Sequence, residues 1–183
     1  HMMAMLERGD DPVQAADAYA DQVVERCRLI GEYGAELIKD ENNIMTHCNA
    51  GALATVDIGT ALAPIRTAWQ RGRRIYVYVS ETRPRLQGMR LTAWELYNEG
   101  IPHSIIVDGA AGHYLRKDVN LVIVGADRIA ANGDFANKIG TFDKAVLCRE
   151  LAVPFYVAAP ISTFDFSIST GNDIIIEDRS EDE

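Results

Sequence analysis

The sequence predicts an α/β fold, a doubly wound and mainly parallel sheet with an N-terminal helical extension, and three observations predict it. From residue 44 onward, short apolar runs of strand length alternate with stretches of helical period, and parallel neighbours need a crossover that packs on the sheet. The 183 residues, 48% hydrophobic and 25% charged, suit one globular core of ordinary size. The polar side chains capable of chemistry cluster immediately after the apolar runs, where open α/β sheets bind their ligands.

In chain order, Asp10-Asp11-Pro12 precedes a helical pattern in which Val13, Ala16, Ala20, Val23, Val24, Cys27, Ile30 and Leu37 recur near a 3.6 period. This predicts one or two helices over 12–38. A polar turn at 39–43 follows. Strands are expected at 44–46, 75–79, 104–107, 121–124, 155–158 and 174–176, with helices at about 58–71, 87–99, 110–116 and 139–152. The expected organisation is an N-terminal helical extension over 1–40 and a Rossmann-like core over 41–183, with His1-Met2 reading as a cloning remnant.

Charge and composition exclude several classes. A net charge of −9, with its densest run in the acidic stretch 177–183, repels nucleic-acid backbones. No 18-residue apolar run is present to span a bilayer, and no secretory pattern interrupts the cytoplasmic default. Cys27, Cys48 and Cys148 are odd in number and lack CxxC spacing, so they read as free thiols rather than as a disulfide framework or zinc site. The glycine-rich segments match neither a GxGxxG fingerprint nor a Walker A loop, and no nucleotide cofactor is implied.

Four post-strand loops carry the candidates. Cys48 lies between His47 and Asn49 and before Ala50-Gly51; it reads either as an acid or base or as a small buried hydrophobe. A His47/Cys48 dyad is disfavoured because adjacent residues on an extended strand point to opposite faces. Asp127, after the run 121–126, reads as a buried carboxylate suited to general-acid work, or else as a salt bridge to Arg128 or a helix cap. Asp108, before Gly109, reads as a cap. Arg83, Arg85, Gln87, Arg90, Asn137 and Lys138 offer donors near helix N-termini, where the dipole and unpaired N–H groups favour phosphate.

The strings THCNAGALAT (46–55), ETRPRLQGMRLTAWEL (81–96), GADRIAANGDFANKIGT (125–141) and PFYVAAPISTFD (154–165) closely resemble methylthioribose-1-phosphate isomerases. The likeness runs from about Asp21 to Asp182. That family is related to archaeal ribose-1,5-bisphosphate isomerases and to regulatory subunits of the translation-initiation factor 2B, which share the fold and not the chemistry. The resemblance implies isomerisation of a sugar 1-phosphate in methionine salvage, with Cys48 and Asp127 as the catalytic pair. It implies Gln87, Asn137 and Lys138, with Arg83 beside them, as ligands of the phosphate and sugar hydroxyls, no metal or organic cofactor, and a homodimer. The alternatives are a noncatalytic subunit that senses a sugar phosphate or nucleotide, and an isomerase for a related ribose 1-phosphate. The family's N-terminal Arg-Gly-Ala phosphate motif is not found ahead of residue 46, so the chain reads as a core lacking the family's N-terminal domain and C-terminal end.

Overall fold

The computed structural model of the protein describes Met5, residues 7–9 and residues 11–177. The expected remnant at His1-Met2 and the acidic run beyond Glu177 lie outside the described residues. The strands are β1 (Asn43–Thr46), β2 (Tyr76–Ser80), β3 (His103–Ile106), β4 (Leu121–Val124), β5 (Arg128–Ala130), β6 (Phe135–Ala136), β7 (Phe155–Val157) and β8 (Phe164–Asp165). Five of them form a parallel sheet in the order β3-β2-β1-β4-β7, and β6-β5-β8 form a small second sheet. In the large sheet Ile44 lies opposite both Val77 and Leu121. The chain winds outward from β1 to β3, then returns to β4 on the other side of β1. The switch point of the fold is therefore the gap between the ends of β1 and β4.

The helices are α1 (Pro12–Ala35), α2 (Leu62–Gln70), α3 (Ala93–Asn98), α4 (Ala111–Lys117) and α5 (Thr141–Leu151). The start of α1 is as its sequence predicts. The Asp11 carboxylate accepts the Val13 and Gln14 amides at 3.0 Å each, with Pro12 in the first turn. Further along, α1 approaches α2 so closely that a Cβ on Gly34 would lie 2.4 Å from Pro64 Cγ. Side chains alternate between two cores. Ile44, Val77, Val79, Leu121 and Ile123 pack with Ala35, Leu62, Ile65 and Leu96 on one face. Met45, Val122, Val124 and Ile106 pack with Ala111, Leu115 and Cys148 on the other. Burial on both faces is why 121–124 reads as an uninterrupted apolar run.

Three elements differ from expectation. No strand forms at 174–176: Ile175 and Ile176 are exposed, with no neighbouring strand to pair with among the described residues. The stretch after β4 turns into the β5–β6 hairpin, closed around Asn132-Gly133 with Gly133 at φ +90. The helix expected over 87–99 begins as a π-helical turn, Gly88–Thr92, before α3. Among the described residues no helix is long and apolar enough to cross a membrane.

Candidate active site

The end of β1 is fixed by its neighbours. Cys48 adopts a left-handed backbone (φ 66), a conformation that costs energy for a side-chain-bearing residue and persists only where surrounding contacts impose it. Here its N–H donates to Thr82 Oγ1 at 2.9 Å, and its carbonyl accepts from Thr92 Oγ1 at 2.7 Å. Thr82 is itself left-handed (φ 65) and donates its hydroxyl to the Ser80 carbonyl at 3.0 Å. The Asp108 carboxylate accepts the N–H groups of Thr82 (2.9 Å) and Arg83 (2.7 Å). Asp108 is thus no cap of its own helix, as its position before Gly109 suggests. It ties the end of β3 to the loop after β2, which in turn holds the end of β1.

Cys48 is half-buried, and burial pushes its thiol above the ordinary range, while the nearby Lys138 ammonium opposes that rise and the Asp127 carboxylate adds to it. The charges of Lys138 and Asp127 thus both reach the Cys48 thiol. Asp127 stands at the carboxyl end of β4, its N–H donating to the Ala136 carbonyl at 2.8 Å. Its side chain is exposed, not buried as the run before it suggests, because the chain leaves the sheet there for the hairpin. Arg128 turns away to Asp165 at 3.4 Å.

Asn137 and Lys138 sit at the start of α5. Asn137 donates to Thr141 Oγ1 (3.0 Å), and the Lys138 carbonyl accepts from the same hydroxyl (2.6 Å). Gln87 immediately precedes the π-helical turn; its Oε1 is buried without a hydrogen-bond partner among the described residues. Arg83 has an exposed side chain and is joined to the cluster through its backbone alone. A groove of about 700 Å³ runs behind the Cys48 loop, lined by Arg28, Leu53, Arg71 and Trp94 among others, and none of the six candidate residues lines it.

His47 points away from the thiol into the protein. Its Nε2 lies 2.7 Å from the Ile139 carbonyl and its Nδ1 3.8 Å from Asp108. Burial first, and the Lys144 ammonium second, push its pKa down to about 4. Lys144 is 1% exposed and makes a long hydrogen bond (3.4 Å) to the Gly140 carbonyl. Thr82, Thr92, Glu95, Arg66 and Lys144 are not singled out by the sequence. Each acts on a partner far away in the chain, and the one local signal, a polar residue inside an apolar helix face, is weak.

The model of the initiation factor 2 subunit family matches residues 5–183. A methylthioribose-1-phosphate isomerase from Roseiflexus sp. strain RS-1 is 55% identical over 172 residues, 93% of this chain and 49% of that protein. The crystal structure of 5-methylthioribose 1-phosphate isomerase from Pyrococcus horikoshii OT3 matches with TM-score 0.90 at 45% identity, over 97% of this chain and 52% of that one. The structure of translation initiation factor eIF-2B subunit delta from A. fulgidus matches with TM-score 0.88 at 47% identity, over 93% and 50%. The chain spans about half the length of the curated relatives it matches.

Proposed function

The chain belongs to the initiation factor 2 subunit family, and from that premise we propose that it is an aldose–ketose isomerase, converting 5-methylthioribose 1-phosphate into 5-methylthioribulose 1-phosphate. The observation that carries this reading is that Cys48 follows β1 and Asp127 follows its sheet neighbour β4, at the switch point of the fold, where the charges of Asp127 and Lys138 both act on the Cys48 thiol. Relatives named for this reaction are 55% identical to the chain. With the reaction go a role in methionine salvage, a cytoplasmic location, a homodimer and no metal or organic cofactor.

The phosphate on C1 makes that carbon acetal-like, so the ring opens only when an acid protonates the ring oxygen as its bond to C1 breaks. Asp127 serves that step. The hydrogen on C2 then passes to C1 while the C2 hydroxyl loses its proton and becomes the ketone. The proton released matches the one taken by the ring oxygen, so substrate and product are isomers. Cys48 carries the proton between the two carbons: as the thiolate, steadied by Lys138, it takes the proton from C2, and the resulting thiol, the form that burial favours, gives it to C1. Asn137, Lys138 and the start of α5 hold the phosphate, with Gln87 and Arg83 completing the polar lining.

Proton NMR of 5-methylthioribose 1-phosphate incubated with the purified chain tests the proposal. Turnover is expected, and Cys48→Ser and Asp127→Asn should each lower it by about 100-fold or more while leaving the fold intact. Substrate binding with no Cys48-dependent turnover would instead assign the chain to the noncatalytic subunits of its family.

A further inference from the structure

Behind the Cys48 loop lies a buried carboxylate that the proposed chemistry does not use. Glu95, in α3, is 3% exposed. One oxygen accepts the Ala52 amide at 2.8 Å; the other accepts the Asn49 side-chain amide at 2.9 Å and the Leu53 amide at 3.3 Å. The approach is so close that a Cβ on Gly51 would fall 2.3 to 2.6 Å from the carboxylate. The loop passing over Glu95 therefore needs glycine at this position.

Glu95 is held in turn. Arg66 Nη2 lies 2.5 Å from its carboxylate, and the same guanidinium grips Glu99 through Nε at 2.7 and 2.8 Å and reaches the Ile58 carbonyl. A carboxylate buried this deeply is tolerable only when paired and fully hydrogen-bonded, and here, besides Arg66, its bonds go to one five-residue stretch, 49–53, starting just after the thiol. Thr92, one turn earlier on the same helical segment, holds the Cys48 carbonyl and accepts from the Asn49 amide at 3.1 Å.

We infer that Glu95, anchored by Arg66, is a positioning residue that sets the loop carrying Cys48. It touches no reacting atom and acts through Asn49, Ala52 and Leu53. The inference rests on the isomerase reading for its effect on turnover, but not for its effect on the thiol. A misplacement of about 1 Å in a reacting group can cost roughly 100-fold in rate. The phosphate ligands Asn137 and Lys138 stand on a different loop, so substrate binding is expected to change little.

The test uses two variants of the whole chain, Glu95→Gln, which keeps size and removes the charge, and Glu95→Asp, which keeps the charge and withdraws it from the loop amides. The rate of iodoacetamide alkylation is followed in the folded protein with Cys48→Ser as blank, because Cys27 and Cys148 are each 1% exposed. Both variants should alkylate Cys48 at a rate altered by roughly fivefold or more. In the isomerase assay kcat should fall by about 100-fold with KM within about threefold. Unchanged alkylation and unchanged kcat in a folded variant overturn the inference, as does failure of both variants to fold, which would make Glu95 a stability residue. Altered alkylation with no turnover in the parent chain would sink the isomerase proposal and leave the positioning role standing.

Discussion

His47 shows what a single side chain contributes at this site. Its imidazole is held neutral, with a pKa near 4 against an ordinary value of about 6.5. Above pH 6.5 it is neutral in both the folded and unfolded chain and adds no pH dependence. As pH falls toward 4 the unfolded chain binds a proton that the folded one refuses, so stability declines across that window and the loss levels off below it. The total is at most about 3 kcal/mol for this shift. Thermal melts from pH 7 to 4 should show the decline, and a His47→Gln variant should show a shallower one; equal slopes would mean that other groups titrate there. At this scale the sequence marks Cys48 and Asp127 correctly as the residues that follow β1 and β4. It misplaces the role of Asp108, whose partners are the amides of Thr82 and Arg83, some 25 residues earlier. It also suggests a buried Asp127, because an apolar run says nothing about where the chain turns next.

At the scale of elements, the π-helical turn Gly88–Thr92 is the joint on which the site depends, since it follows Gln87 and carries Thr92 to the Cys48 carbonyl. Its first residue must be glycine. A Cβ there would meet the Ser80 carbonyl oxygen at 1.8 Å, backbone against backbone with no side chain to give way. Gly88→Ala should therefore destabilise the protein by about 1 to 3 kcal/mol in urea unfolding, and a wild-type midpoint would show that the turn relaxes freely. Helical period alone reads 87–99 as one helix, because five residues of wider winding leave the apolar spacing nearly unchanged. The hairpin after β4 had a signal in Asn132-Gly133, a pair suited to tight turns. Its strands of three and two residues are too short to show alternation. The reverse error occurs at 174–176, where three isoleucines have strand composition but no partner strand among the described residues.

For the whole molecule, the surface carries a prediction about assembly. Phe142 and Val146 are exposed one turn apart on α5, and Ile139 is exposed just ahead of that helix. An apolar stripe of this kind is commonly covered by another protein surface. The proposed homodimer should give a light-scattering mass of about 40 kDa, twice the 20.2 kDa of the chain, and 20 kDa across a concentration series would refute it. Ile139 is adjacent to Lys138 in sequence, so a dimer formed there would also restrict solvent at the proposed phosphate site.

The alternation of strands and helices and their parallel arrangement were legible in local periodicity, and the candidate loops followed from the rule that ligands gather beyond the carboxyl ends of strands. Only the tertiary structure decided which loops meet. The order β3-β2-β1-β4-β7 brings residues 48 and 127 to one gap. Hydrogen bonds spanning 25 to 46 residues of chain, from Asp108, Thr82, Thr92 and Glu95, fix the backbone there. A hydrogen bond depends on two groups being brought together, and when they lie far apart in the chain, neither one's neighbours in sequence record the other.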